Sequence, residues 1–224
     1  MTDSIESLTI LTPTNEPWQL IYQDEQLLVV NKPAMLLTVP GRHPANFDCL
    51  ISRVQQQFPS AKVVHRLDYD TSGLVILPLT KAALSKISIQ FQARTVHKQY
   101  QALVQGEVVS ERGSIDSPIA ADPHRRPLYK ICLETGKPSL THYQVLNYDK
   151  ERDVSRVLLS PVTGRSHQLR VHLLSLGHPI IGDTLYGDLN NIALWARLCL
   201  HSASIEFCHP DTGELLQFHA ATPF

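Results

Sequence analysis

"VHRLDYDTSGLVILPL" (residues 64–79) places a histidine, an arginine and two aspartates directly ahead of an apolar run. "GLVILPL" has the length and turn-bounded character of a buried strand. Thr71, Ser72 and Gly73 stand at its mouth, and these residue types hold bends. His65, Arg66, Asp68 and Asp70 therefore sit on a loop positioned by a strand, the usual place for residues that bind or catalyse. Asp68 is the most informative of the four. On spacing alone it can cap the turn toward Thr71 and Ser72, or it can face a ligand, and both readings stay open.

Outward from this stretch, the 224 residues suffice for one large domain or two small ones with an ample core. No apolar run approaches the roughly 20 residues of a membrane helix. The opening "MTDSIESLTILTPTNEP" has neither the basic start nor the apolar segment of a secretory signal. Cys49, Cys132, Cys199 and Cys208 are scattered with no C-x-x-C pair, which reads as free thiols in a reducing cytoplasm. The net charge of −1 conceals an asymmetry: residues 1–31 hold five acids and no Lys or Arg, so the remainder carries 20 basic against 16 acidic residues. The basic excess concentrates in 62–98, a weak pointer toward nucleic acid.

Residues 1–17 are polar, hold Pro13 and Pro17, and read as a flexible tail. "LLVVN" (27–31) is a short buried strand stopped by Pro33. Asn46 can cap a helix with Phe47, Leu50, Ile51, Val54 and Phe58 on its apolar side. Thr80 caps a second helix with Leu84, Ile87 and Phe91 on one face. "HKQYQALVQ" (97–105) alternates, so Tyr100, Ala102 and Val104 share a face. Pro78 marks the end or edge of the strand after the opening stretch. Further strands are expected near 139–147 and 156–162. "SHQLRVHLLSL" (166–176) reads as a helix closed by Gly177 and Pro179, and the last segment as two strands turning at Asp211-Thr212-Gly213. Connections between strands are often too short for parallel crossovers. The pattern predicts an α+β fold, a mixed but largely antiparallel sheet with flanking helices.

A second constellation is "TGRSHQLRVH" (163–172). Arg165 precedes or opens the helix, where its guanidinium can reach outward. Gln168 and His172 share a face at i, i+4, whereas His167 and His172 do not, and no zinc pattern matches. There is no phosphate-cradling glycine loop, and no Ser or Cys lies in a nucleophile-elbow context.

"HRLDYDTSGL" (65–74) resembles the H-R-L-D-x-x-T-S-G-L signature of pseudouridine synthases of the RluA type. "LLVVNKPAMLLTVPG" (27–41), "HKQYQALVQG" (97–106), "PVTGRSHQLRVHLLSLGHPIIGDTLYG" (161–187) and "LCLHSASIEFCHP" (198–210) agree in order and spacing. The similarity spans about residues 18–224. It implies a pseudouridine synthase fold with a central RNA-binding cleft. It also implies one catalytic domain over 18–224 without an S4-like RNA-binding domain, and isomerisation of specific uridines in structured stem-loops of large-subunit ribosomal RNA and tRNA.

Detaching uracil builds positive character on the sugar, so the reaction wants an ionised carboxylate. By resemblance that carboxylate is Asp68. The resemblance makes Arg165 its partner, a role that suits an arginine, whose fork binds carboxylate bidentately and stays charged. The resemblance also implies that Tyr100 stacks on the uracil and that Arg66 fills the gap left by the flipped base. His65, Lys32 and Lys98 contact RNA, as Lys62, Arg125 and Arg126 can. The resemblance implies no cofactor, no metal, no membrane and a cytoplasmic monomer. Other readings are a synthase acting on one RNA class only, a glycoside hydrolase or nucleosidase, and a non-catalytic RNA-binding protein.

Overall fold

The computed structural model describes residues 9–224. In chain order the elements are β1 (Gln19–Gln23), β2 (Leu27–Lys32), α1 (Leu50–Val54), β3 (Ser72–Pro78), α2 (Lys81–Ala93), β4 (His97–Gln105), β5 (Arg112–Asp116), β6 (Ile119–Ala121), β7 (Tyr129–Ile131), β8 (Leu140–Asp149), β9 (Val154–Pro161), α3 (Gln168–Ser175), α4 (Leu189–Leu194), β10 (Leu200–Cys208) and β11 (Leu215–His219). They group into two compact units. One is formed by the chain up to Val96 with Ile205–Ala220, the other by His97–Ser204 with the last four residues.

In the first unit β2 pairs antiparallel with both β1 and β3. Leu27 to Val30 and Leu74 to Leu77 are all fully buried, as expected of strands covered on both faces. Leu27, Val29, Leu74 and Ile76 form one core with Ile87 and Phe207. Ile87 comes from α2, which starts where Thr80 Oγ1 accepts the Ala83 N–H at 3.0 Å and ends at Arg94 in the left-handed region. The β2–β3 register pairs Lys32 with Gly73. Both strands therefore end together, and the loops 33–38 and 64–71 leave from the same point.

In the second unit β4 and β8 flank β9 in antiparallel pairing, and β5 pairs β8. Ala102, Val104, Val157 and Leu159 join Leu169 and Leu173 of α3 in the core. β6 and β7 make a separate two-stranded ribbon.

The mixed, largely antiparallel α+β architecture agrees with the sequence expectation. Pro78 is the last residue of β3, and α3 is closed by Gly177 at φ 84°. Two local readings need correction, and five elements were not foreseen. Asn46 does not cap the helix at 50. Its side chain is taken by the N-terminal segment, accepting from Leu11 N–H at 2.8 Å and donating to Thr9 O at 2.9 Å. Cys49 instead precedes α1, with Ser52 Oγ accepting the Cys49 N–H at 3.0 Å, and Phe47 is exposed. The segment 9–17 is not loose either. It has no helix or strand, yet Thr14 N–H bonds Met35 O and Arg53 donates to Thr14 O, at 2.8 and 2.7 Å; residues 1–8 of the expected tail lie outside the described residues. Finally, β1, β5, β6, β7 and α4 were not legible. β1 is exposed at four of five positions, and the others are short.

Candidate active site

In the first unit the Asp68 loop is pinned on both sides. Thr38 Oγ1 donates to Leu67 O at 2.8 Å and accepts the Leu67 N–H at 3.1 Å, so one hydroxyl serves both backbone groups before Asp68. After Asp68, Tyr69 O accepts the Leu36 N–H at 3.1 Å and lies 3.4 Å from Lys32 Nζ. The Tyr69 hydroxyl donates to Thr12 O at 2.5 Å, and burial raises its pKa. The turn closes through Thr71 N–H to Asp68 O at 3.2 Å.

This contact uses the Asp68 backbone. The half-buried carboxylate itself has no hydrogen-bond or ionic partner among the described residues. Turn-capping by the side chain is therefore not what fixes this loop. A carboxylate on a clamped backbone with open valence is poised for something from outside.

Lys32 differs from its expected role. It is fully buried, and its ammonium donates to Pro33 O at 2.8 Å and Leu36 O at 2.7 Å besides Tyr69 O. A phosphate cannot reach a group with no exposed surface. Lys32 is a staple between two loops, and the expected RNA contact is corrected accordingly. His65 also looks inward. Its Nε2 accepts the Ile76 N–H of β3 at 2.9 Å, and its ring lies 4.8 Å from that of Phe91. The accepting nitrogen carries a lone pair, so the ring holds the loop against β3 and α2 as a neutral imidazole. Arg66, by contrast, is exposed, with no polar partner among the described residues.

In the second unit Lys98 and Tyr100 share the inward face of β4 with Ala102 and Val104, the face read from alternation. Tyr100 is opposite Leu159 and packs on the core. Burial lowers the Lys98 pKa. A Cβ added to Gly164 would stand 4.0 Å from Lys98 Nζ. The structure thus brings Lys98, Tyr100 and the loop 163–165 into one neighbourhood.

Arg165 stands three residues before α3, with Nε donating to Pro138 O at 3.3 Å. Its loop is set by Gln168, buried at the start of α3. Gln168 Oε1 accepts from Arg165 N–H at 3.0 Å and Thr163 Oγ1 at 2.8 Å, while its Nε2 donates to Leu140 O and Thr141 Oγ1. All four hydrogen-bonding sites of the amide are used, so it can take one orientation only. His172, one turn on, meets the same Thr141 hydroxyl at 2.9 Å and Ser117 O at 3.0 Å; burial lowers its pKa.

On the opposite side of α3, Arg170 and Asp183 form a buried bidentate pair at 2.8 and 2.6 Å. Arg170 lies over the Tyr186 ring, 5.2 Å from its centre. His167 takes φ 56°, an uncommon conformation outside glycine, and its Nδ1 meets the Tyr186 hydroxyl at 2.8 Å.

Thr38, Gln168, Asp183 and Tyr186 were missed as functional supports. One signal existed: Arg170 falls between Leu169 and Val171 in an apolar helix and so demanded a buried acid. Asp183 follows "PIIG", but nothing in one sequence joins the two. No group of three or more His, Cys, Asp or Glu that could hold a metal occurs among the described residues. No described helix is long and apolar enough to cross a membrane.

Comparison with known proteins gives this geometry a family. The RNA pseudouridylate synthase family model matches residues 26–175, a span containing Asp68, Tyr100 and Arg165. The chain is 46% identical over 213 residues to the dual-specificity RNA pseudouridine synthase RluA of Escherichia coli (strain K12), covering 95% of this chain and 97% of that protein. Identity to the protein of the same description from Pasteurella multocida is 44% over 220 residues, covering 97% and 100%. Among solved structures, human RNA pseudouridylate synthase domain containing 1 is similar with a TM-score of 0.80 and 33% identity, over 95% of this chain and 86% of that one. The chain belongs to the RNA pseudouridylate synthase family.

Proposed function

We propose that the protein isomerises specific uridines of structured RNA to pseudouridine, in stem-loops of both large-subunit ribosomal RNA and the tRNA anticodon arm. The observation that carries this reading is Asp68, a carboxylate without a partner among the described residues, whose two neighbours are held by Thr38, Leu36 and Lys32. Fixing a charged group before substrate arrives removes the reorganisation the reaction would otherwise require. The name of the relatives, dual-specificity RNA pseudouridine synthase, supports two RNA classes.

In this reading the target base leaves its stack, costing a few kcal/mol, and Arg66 enters the space it vacates. Its exposure and lack of a polar partner among the described residues suit a group that moves into RNA. Asp68 acts at the ribose as the glycosidic bond breaks and the sugar gains positive character. Tyr100 offers its ring to the base, and its hydroxyl to the proton that leaves carbon 5 once the base has turned over. Arg165 brings the positive charge that the resemblance assigns to the site, with Gln168 holding its loop. Its Nε donates to Pro138 O, and it makes no ion pair with Asp68 among the described residues. Lys98, a desolvated amine on the strand face of Tyr100, lies near the base and its phosphates. The base is never released, so neither cofactor nor energy source is consumed.

The test is Asp68→Asn on a uridine-containing anticodon-arm stem-loop and on a ribosomal stem-loop. Wild type should form pseudouridine with RNA mass unchanged. The variant should form none while binding RNA within tenfold of wild type, since affinity rests on phosphate contacts. Turnover of a few per cent by the variant overturns the assignment of Asp68. Release of free uracil by wild type would make the enzyme a hydrolase.

A further inference from the structure

The ribbon of β6 and β7 has three residues a side, paired Ile119↔Ile131, Ala120↔Lys130 and Ala121↔Tyr129. So short a hairpin is marginal in water unless something holds it. On one face Ile119 is buried and the Tyr129 ring meets His167 edge-on, with centroids 5.2 Å apart. Tyr129 N–H donates to the Tyr186 hydroxyl at 2.8 Å, the same hydroxyl that bonds His167. The ribbon is thereby fastened to the residue that opens α3, two positions beyond Arg165.

The connecting loop is fastened by Asp122, only 3% exposed. Asp122 N–H bonds Leu128 O at 2.8 Å, closing the loop. Its carboxylate accepts His124 N–H at 3.2 Å and Arg125 Nε at 3.1 Å, with Lys130 Nζ at 3.7 Å. Burial works to raise the Asp122 pKa, but these donors and cations outweigh it and leave the group below its ordinary value. The acid is enclosed, whereas the cations it gathers stay in solvent: the Arg125 side chain is 71% exposed and that of Lys130 is 46% exposed. Arg126 and Lys137 are exposed as well. Between Ser117 and Ser139 four Lys or Arg stand against two acids, Glu134 and the enclosed Asp122. The outer side of the ribbon is cationic, and its backbone is fixed at both ends.

We propose that the β6–β7 hairpin is a clamp for the phosphate backbone of RNA, gripping it through Arg125, Arg126 and Lys130. The inference rests on the RNA-modifying reading above and names the surface that supplies affinity. Charge complementarity selects the partner: a rigid, exposed ribbon with separated cations matches the repeating charges of a nucleic-acid strand. Because the ribbon bears on His167, RNA seated there is held against the same frame that carries Arg165.

The experiment compares wild type, Arg125→Ala/Arg126→Ala/Lys130→Ala and a control, Lys81→Ala/Lys86→Ala on the exposed side of α2. Each binds a fluorescent anticodon-arm stem-loop across a salt series, with circular-dichroism melts as the folding check. The triple variant should bind at least tenfold more weakly. Its slope of log affinity against log salt should be lower by about 2–3 units, at roughly 0.7–0.9 per lost phosphate contact. Its single-turnover rate at saturating RNA should stay within threefold. Should it not fold, Arg125→Gln/Arg126→Gln keeps Lys130 on Asp122 and should lower the slope by about 1.5–2 units. An unchanged slope, or a loss no larger than the control's, overturns the clamp. If wild type modifies RNA and the triple variant binds as wild type does, the clamp alone falls. If wild type binds through these residues yet makes no pseudouridine, the isomerase reading falls and the clamp stands.

Discussion

Asp68 and Arg165 stand on loops built by opposite means. On either side of Asp68 the loop is held through its backbone, by a threonine hydroxyl on Leu67 and by a lysine ammonium and an amide on Tyr69, with the His65 ring anchoring its start. The Arg165 loop is held through side chains, with a saturated glutamine amide beneath it and an enclosed Arg170–Asp183 pair on the far side of its helix. A loop gripped by its carbonyls tolerates many side chains in itself but few at the gripping positions. A loop gripped through side chains depends on several exact identities at once. The first loop therefore keeps its reactive group open, while the second keeps its residues engaged with one another.

Removing one partner from each loop tests this contrast. Asp183→Asn should be the more damaging, costing about 3–5 kcal/mol, because it leaves the Arg170 charge buried without its counter-ion. Urea denaturation reads the loss directly. If the cost is below 1 kcal/mol, the pair is not what fixes the second frame. Lys32→Met keeps most of the side-chain volume but strands the Pro33 and Leu36 carbonyls, so a cost of about 2–3 kcal/mol is expected. It should also lower the single-turnover rate with RNA affinity nearly unchanged, since Asp68 loses its fixed position but no phosphate contact is removed. Weaker RNA binding with an unaltered rate would return Lys32 to the surface role first expected of it.

The smallest effect concerns Lys98 and appears only with pH. Burial lowers its pKa in the folded chain, so above that value and below about 10.4 the unfolded chain binds more protons than the folded one. Stability should therefore rise with pH through that window, and Lys98→Met should flatten the rise. Denaturation midpoints of both proteins at pH 7 and pH 10 check it. Equal slopes would mean that the amine stays hydrated.

Much of this was legible in the sequence. The apolar runs of β2 and β3, the Thr80 cap and the alternation of β4 gave strands and helices in their places, because burial and hydrogen bonding there are local. Asp68, Arg165 and Tyr100 came from motif resemblance, and the comparisons give the family. What was not legible depended on distant partners. Lys32 reads as a surface lysine until Leu36 and Tyr69 fold around it. Asn46 reads as a cap until Thr9 and Leu11 claim its amide. His65 reads as an RNA ligand until Ile76 donates to it. Arg170 and Asp183, thirteen residues apart, find each other only once α3 has formed. Each is a polar group whose meaning is set by a neighbour that periodicity cannot see.

Lys32 and Thr38 have one further consequence, in the way the chain opens. Between them they bind residues 33–38 to residues 67–71, two segments some thirty positions apart. Neither can detach without breaking the bonds of the other, so the pair forms a single cooperative unit of local unfolding. The amides of Leu36, Leu67 and Thr71 should then exchange their hydrogens for deuterium at one shared rate, well slower than the exposed amide of Arg42. The floor beneath Asp68 either is whole or is absent, with no half-open form in which the carboxylate wanders while its loop remains.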